Sequence, residues 1–284
     1  MANKREISNL NQQIKGLQNL IETYEELAAL QMRKNRTRVV NSRSFIEDLE
    51  TIYHELMIAY HREAMNRLKD TFAKQRAQGR TIAVLLSSNV GLVGEIVQQT
   101  FKLFSEYIKT HPCDIMVTGR IGQRMMMNYL PDKKFLYYEV SDEAIDPQKL
   151  SFMINMLTGY EKIYIFYGKF NSFASQTPYV LDARGEQEKL SVDNVPLIKY
   201  LFEPSLNELF HFFETQIFST IIEQTFRESN LAKYAARMVA LNSATDNVSK
   251  YLKHLNLQQR VITHRIANQK QQQVYTSMTL WKLR

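Results

Sequence analysis

The carboxyl-terminal part of the chain carries a long heptad pattern of apolar residues. From about Arg227 to Arg284 there is no Pro or Gly, and apolar positions recur at alternating steps of four and three residues. This spacing is typical of the a and d positions of a coiled coil. The predicted seam comprises Tyr234, Met238, Leu241, Thr245, Val248, Leu252, Leu255, Gln259, Ile262 and Ile266.

The amino-terminal stretch repeats the same spacing. A helix with such a stripe needs a partner to bury it, so two matched seams at the ends of one chain predict an antiparallel coiled coil closed by a globular insert. Every Pro lies between Pro112 and Pro204, which leaves both ends free to form long helices. The predicted amino-terminal seam comprises Ile7, Leu10, Ile14, Leu17, Ile21, Tyr24 and Ala28.

Between the two ends, short apolar runs alternate with amphipathic stretches. Strands separated by helices favour crossover connections, so we predict an inserted α/β, mostly parallel, Rossmann-like domain. The predicted strands are Thr81–Ser87, Asp114–Thr118, Phe135–Val140, Ile163–Tyr167, an edge strand near Tyr179 and a last strand at Ile198–Phe202. The predicted helices between them are 92–109, 123–130 and 147–157.

These patterns divide the chain into three predicted segments. Residues 1–78 form an amino-terminal shaft helix, 79–203 the α/β domain and 204–284 a carboxyl-terminal shaft helix. Ser205 followed by Glu208 is a capping-box pattern that opens the last segment.

Composition argues against a disordered, disulfide-bonded or membrane-spanning protein. With 284 residues and 44% hydrophobic content the chain can bury a sizeable core, and its net charge of +7 is spread too widely to indicate a nucleic-acid partner. The lone Cys113 excludes an intramolecular disulfide and a cysteine-based metal cluster. No apolar run approaches the ~18–20 residues of a membrane span, and no signal-peptide core follows Met1. We therefore expect a cytoplasmic protein that does not insert into the membrane.

The turn after the first predicted strand is a candidate anion site. Ser87 to Gly94 would open a helix, and free amides at such a turn can hold an anion. The turn has neither a phosphate-binding loop with its Gly-Lys-Ser/Thr ending nor a three-glycine dinucleotide fingerprint, and no lysine lies near it in the sequence. A purely structural turn is the favoured interpretation.

Other candidate sites are weaker. His54 and His61 would lie two helical turns apart, too far to share one metal ion, and no His is placed to activate Cys113. We expect no catalytic, metal-binding or cofactor-binding residues. The basic patch from Arg33 to Arg43 is either a solvated helix face or a docking surface for an acidic protein, and the absence of interleaved aromatic residues argues against nucleic acid.

Four segments carry a family resemblance. The run Tyr234-Ala-Ala-Arg-Met-Val-Ala-Leu-Asn-Ser-Ala-Thr-Asp-Asn247 resembles the carboxyl-terminal signature of the gamma subunit of F-type ATP synthases. The first helix, the turn Ser88-Asn-Val-Gly-Leu-Val-Gly94 and the stretch Ile165-Phe-Tyr-Gly-Lys-Phe-Asn-Ser-Phe-Ala-Ser-Gln-Thr-Pro178 resemble further segments of that family in the same order.

The resemblance implies a central-stalk rotor subunit without catalytic residues of its own. Its partners would be the alpha and beta subunits of a catalytic hexamer, which hold the ATP or ADP and Mg, together with the epsilon subunit and the membrane rotor ring. The complex would be peripheral to a membrane. The implied rotor–hexamer interface comprises Glu22, Glu25, Glu26, Arg33, Lys34, Arg237, Asp246, Asn247, Gln269 and Gln272.

The chain departs from the family pattern most in two places, and its turn has Asn89, Val90 and Val93 where the family has an Asp-Arg pair and a Cys. An acidic stretch, Glu22 to Glu26, replaces a commonly basic part of the first helix, and the carboxyl-terminal tip is rich in glutamine. These departures favour the hypothesis of a specialised, F-type-like motor.

Two other classes of function stay open at this point. The chain could be an independent α/β enzyme or nucleotide-binding module with helical arms, in which Asn89 and Gly91 would be essential. It could also be a coiled-coil adaptor that pairs its end helices between chains.

Overall fold

The computed structural model describes residues 4–63, 79–141, 146–183 and 206–282. Two long helices lie at the ends of the chain: α1 (Lys4–Glu63) has 60 residues and α5 (Leu206–Lys282) has 77. They extend this far because neither contains Pro, and Gly16 of α1 is the sole glycine in either helix. The predicted terminal helices are confirmed, and they pack together with an α/β domain inserted between them.

The inserted domain contains a five-stranded sheet. Its strands are β1 (Thr81–Leu86), β2 (Asp114–Thr118), β3 (Leu136–Tyr138), β4 (Lys162–Phe170) and β5 (Gln176–Asp182). The order across the sheet is β3-β2-β1-β4-β5. All neighbours run parallel except β4 and β5, which form an antiparallel hairpin. The predicted mostly parallel sheet is therefore confirmed.

Helices cover both faces of this sheet. One face packs on α4 (Pro147–Thr158) and on the Phe218, Ile222 and Phe226 side chains of α5. The other face packs on α2 (Ile96–Thr110) and α3 (Arg120–Tyr129), with Phe104 and Met126 fully buried. Burial on both faces explains why the central strands have continuous rather than alternating apolar sequences.

Several element boundaries differ from those predicted. Helix α2 begins at Ile96 rather than Leu92, because Leu92 and Gly94 have φ angles of 60° and 58°, which no right-handed helix accommodates. Helix α3 begins directly after Gly119, three residues earlier than predicted. The stretch from Gln176, predicted to be largely irregular, starts with the full strand β5. The predicted strand at 198–202, the Ser205 cap and the chain around residue 78 lie outside the described residues.

The chain forms two compact units, of which the first contains Met1–Leu27 and Met238–Arg284. Within it, every α5 position of the predicted seam from Met238 to Ile266 is buried or half-buried. On α1, Ile14 and Ile21 are half-buried as expected, but Leu17 is 45% exposed and Gln18 takes the half-buried position.

The difference arises because the same heptad spacing fits two neighbouring seams on α1. Both contain Ile7, Ile14 and Ile21, and they differ in whether the intervening positions are 10, 17 and 24 or 11, 18 and 25. Helix α5 lies on the second side, where Asn11 is 8% exposed and donates hydrogen bonds from Nδ2 to Asn256 Oδ1 (2.8 Å) and Gln259 Oε1 (3.3 Å).

The second unit is Ala28–Arg237, which contains the whole sheet and the parts of both long helices nearest to it. The domain limits predicted from the sequence, at residues 78/79 and 203/204, stay a prediction. None of the described helices is long and apolar enough to span a lipid bilayer.

A helix-docking junction at the carboxyl edge of the sheet

Helices α2 and α5 pack against the carboxyl edge of the sheet, where doubly wound domains commonly bind ligands. Strand β1 has β2 on one side and β4 on the other, so the direction of winding changes at the carboxyl end of β1. At this edge an added β-carbon on Gly168 of β4 would lie 2.6 Å from Ile96 Cγ1 and 3.7 Å from the Ala232 β-carbon of α5. The Ile96 side chain of α2 and the Ala232 side chain of α5 therefore pack closely against β4 at this edge.

The turn after β1 is held rigidly by its neighbours. Ile121 N donates to Ser88 O (3.0 Å), and Arg120 N donates to Asn89 Oδ1 (3.1 Å). The amide of Asn89 donates in turn to Val140 O (2.5 Å). Gly119 has a φ of 83°, and an added β-carbon there would lie 2.9 Å from the backbone of Ser87 and Ser88. Asn89 thus connects the ends of three strands, which is a structural role.

Helix α5 docks on this turn through small side chains and one lysine. Lys233 Nζ donates to Ser87 O (2.5 Å) and to Asn230 Oδ1 (3.3 Å). The β-carbon position of Gly94 is 3.7 Å from the Ala236 β-carbon, and Arg237 Nη2 reaches Gly91 O (3.5 Å). We call this contact region the α5 junction; it comprises residues 87–94, Gly119, Gly122, Gly168 and 230–237.

The α5 segment in the junction is almost wholly buried. Ala232 and Ala235 are 0% exposed, which lets the helix backbone approach the sheet closely. Polar side chains accompany them, including Ser229 and Lys233 at 1% and 7% exposure. A buried ammonium is stable only when it is hydrogen-bonded, so the contacts to Ser87 and Asn230 fix where this turn of α5 can lie.

The junction unites segments that are far apart in the sequence. The turn Ser88–Gly94, the Gly168 region of β4 and the run beginning at Tyr234 are three of the four segments that carry the family resemblance, and here they meet. The sequence analysis did not predict Lys233, because this lysine lies 146 residues after Ser87 in the chain. The available signal was a single charged residue among the otherwise uncharged side chains of 231–236.

The predicted interface residues lie mostly on the exposed surface. Glu25 and Arg237 are half-buried, Arg237 within the junction. The exposed members of the predicted set are Glu22, Glu26, Arg33, Lys34, Asp246, Asn247, Gln269 and Gln272. Of the predicted seam, Leu241, Leu252 and Leu255 are buried, and Met238 and Val248 are half-buried.

The thiol of Cys113 and the phenol of Tyr107 lie in apolar surroundings that disfavour their ionised forms. Cys113 packs against the apolar cluster around α2, and burial raises the pKa of its thiol, which disfavours the reactive thiolate. Burial also raises the pKa of Tyr107 to about 12, with Tyr164 adding to the effect. Across the described residues, no three His, Cys, Asp or Glu side chains are grouped so that they could hold a metal ion.

The fold and the junction define a class of protein in which two long terminal helices pack together and carry an inserted, mostly parallel α/β domain. Residues 3–267 match the protein family described as ATP synthase. The ATP synthase gamma chain of Roseiflexus castenholzii is 24% identical over 281 residues, which cover 90% of this chain and 91% of the relative. That of Buchnera aphidicola is 26% identical over 277 residues, with 90% and 91% covered.

Solved structures show the same fold. A chain from the central stalk and c-ring of the Tetrahymena thermophila mitochondrial ATP synthase has a TM-score of 0.57 at 15% identity, covering 79% of this chain and 99% of that one. A chain of the Euglena gracilis mitochondrial ATP synthase has a TM-score of 0.51 at 14% identity, with 87% and 93% covered. The chain belongs to the ATP synthase gamma chain family, the non-catalytic central stalk of the F-type enzyme.

Proposed function

We propose that this chain is the rotor that couples nucleotide turnover in an alpha/beta hexamer to rotation. The observation that carries the proposal is the path of α5, which is one continuous helix from the α5 junction to the tip of the coiled coil. A helix clamped at one end and paired along its seam with α1 resists bending and twisting. Force applied near the tip would therefore reach the α/β domain.

The exposed apolar surface of the coiled coil supports enclosure by other subunits. On α1, Leu17, Leu20, Tyr24 and Leu27 are each 45–59% exposed. On α5, Leu257, Val261 and Tyr275 are exposed as well. Monomeric proteins rarely leave such stripes in water. Enclosure by alpha and beta subunits would bury these residues and would bring the acidic and basic patches of α1 against the hexamer.

The remaining partners and the location follow from the same proposal. The epsilon subunit and the membrane rotor ring, or an equivalent, would contact the α/β domain, and ATP, ADP and Mg would be bound by partner subunits only. The complex would lie on the cytoplasmic side of a membrane. We keep the specialised F-type-like motor as a variant of this proposal, since the acidic stretch Glu22–Glu26 is exposed or half-buried and therefore open to a partner of different charge.

Purification of the native complex through a tag on this chain tests the proposal. We expect co-purifying alpha and beta subunits, ATP hydrolysis by the complex, and rotation of a bead attached to the α/β domain. Turnover or tight ATP binding by the isolated chain would contradict it and favour an independent enzyme. A chain that dimerises through its end helices instead, seen as a concentration-dependent mass, would favour the adaptor.

A recovered complex that carries a rotor ring and synthesises ATP with a proton gradient would remove the reason for the specialised-motor variant. The central coupling role would stand in either case.

A further inference from the structure

A cluster of three amide side chains interrupts the apolar seam of the coiled coil: Asn11 is buried, Gln259 is half-buried and Asn256 is exposed. Asn11 lies between Ile7 and Ile14 on α1, and it is 92% buried, since its exposure is 8%. Its Nδ2 donates to Asn256 Oδ1 and Gln259 Oε1 on the facing helix at 2.8 and 3.3 Å. Its own Oδ1 is buried without a hydrogen-bond partner among the described residues.

This cluster adds less to the free energy of unfolding than an apolar residue at position 11 would. A buried acceptor without a partner is costly, and an apolar residue at position 11 would continue the seam formed by Ile7 and Ile14. The best-attested role of such a buried polar position in a coiled coil is to specify which turns of the two helices face each other. The cluster is therefore expected to act on the alignment of the helices.

The sequence around the cluster allows more than one alignment of α1 against α5. The seam repeats every seven residues on both helices, so α1 could slide along α5 by one heptad and still match apolar positions. In one direction Asn11 would face Ser249 and Leu252, and in the other Thr263 and Ile266. Each shift replaces two amide acceptors by one hydroxyl and one hydrocarbon side chain, so only the observed alignment satisfies both donor hydrogens of Asn11.

We propose that Asn11, Asn256 and Gln259 are positioning residues that fix the register of α1 against α5. They hold the helix pair in one alignment, so that the tip of α5 keeps a constant position relative to the start of α1. The inference concerns the isolated chain and does not depend on the proposed rotor function.

Distance measurement between two spin labels tests the register directly. Labels at Lys15 and Lys270 suit this purpose in a chain carrying Cys113→Ser, because both positions are exposed. The observed register places them roughly 25 Å apart along the helix axes, so the distance between them reports sliding. The parent chain should give one distance. Asn11→Leu should keep or raise the Tm and add a second population displaced by about 10 Å, the rise of one heptad.

Gln18→Leu is the matched control. Gln18 is half-buried in the same seam of α1, but it donates to Glu22 of its own helix (2.9 Å), so its replacement adds apolar surface without removing a bond between the helices. This variant should retain a single distance. A single, unchanged distance in Asn11→Leu, or a second population of equal size in Gln18→Leu, would overturn the proposal.

A second set of variants covers the case in which Asn11→Leu does not fold. Asn256→Ala combined with Gln259→Ala leaves the Asn11 amide without acceptors and should lower the Tm. Asn11→Ala, which also lacks the donor, should lose nothing further when added to that pair. Strictly additive Tm changes would show that the three side chains act independently and would contradict the proposal.

Discussion

Lys233 of α5 donates a hydrogen bond to the carbonyl oxygen of Ser87, 146 residues earlier in the chain, at the end of the first strand. This contact joins the long helix to the centre of the sheet rather than to its rim. Because Ser87 is followed by the turn that Asn89 and Gly119 hold in place, the lysine connects α5 to a tightly constrained part of the domain. If the chain is the rotor proposed above, force on the helix would enter the α/β domain through this contact.

Replacement of Lys233 tests how much its hydrogen bond to Ser87 stabilises the fold. Lys233→Met keeps an unbranched side chain, one atom shorter, but removes the donor and leaves the Ser87 carbonyl without that partner. The free energy of unfolding should fall by about 1–3 kcal/mol, measured by urea denaturation of the full chain. Lys250→Met, an exposed lysine of the same helix, should change it by less than about 0.5 kcal/mol. Equal effects of the two substitutions would argue against the lysine contact.

Two glycines should respond to alanine in opposite directions. At Gly168 the added β-carbon would lie 2.6 Å from Ile96 Cγ1, so overpacking should destabilise the chain by about 1–3 kcal/mol. At Gly16 nothing lies within 4 Å, and the position is inside helix α1, so Gly16→Ala should stabilise the chain by about 0.5–1 kcal/mol. Thermal denaturation of both variants measures the difference. A stabilising Gly168→Ala would mean that the Ile96 side chain of α2 moves aside for the added methyl group at little cost.

Alkaline pH should weaken the domain through Tyr107. Burial, with Tyr164 nearby, raises the pKa of this phenol to about 12 in the folded chain, against 10.0 for an ordinary tyrosine. The folded state therefore holds the phenol proton of Tyr107 more tightly than the unfolded state does. The contribution of this proton to the free energy of unfolding is complete below about pH 10 and is lost towards pH 12. The Tm of Tyr107→Phe should fall less steeply over this range than that of the parent. Tyr129→Phe, on a 70% exposed ring, is the control for removing a phenol.

The glutamine-rich tip should matter to the complex and not to the isolated chain. Residues from Gln272 to Met278 are exposed, so deletion after Gln272 removes little buried surface and should leave the Tm of the isolated chain within about 2 °C. In the assembled complex the same deletion should lower torque or the yield of assembly without changing nucleotide affinity. A large drop in the Tm of the isolated chain would place the tip in the fold rather than at an interface.

Charge reversal of the basic patch tests the predicted hexamer contact. Arg33 and Lys34 are exposed on α1, so Arg33→Glu with Lys34→Glu should leave the unfolding transition of the isolated chain nearly unchanged. Binding to the purified hexamer should weaken by roughly tenfold, a loss of about 1.4 kcal/mol, and more so at low salt. Unchanged binding would show that this face is merely solvated.

The sequence determined the elements and the buried side of α5. Periodicity is a local property, because a repeat of 3.5 residues places one set of side chains on one face whatever that face contacts. For this reason every predicted α5 position from Met238 to Ile266 is buried or half-buried, and the long helices and the mostly parallel sheet were predictable. The absence of Pro from both ends and its presence in the middle located the inserted domain.

Only the tertiary structure decided which surfaces meet. On α1 two seams fit the same heptad pattern. Helix α5 packs on the side of Asn11 and Gln18. Leu17 is left exposed, although leucine is more apolar than either. Leu92 has a φ of 60°, which the pattern of apolar and polar positions does not predict. The contact between Lys233 and Ser87 depends on how the strands are ordered and wound. Such contacts between distant segments are fixed by topology and packing, which a local pattern of apolar and polar positions does not encode.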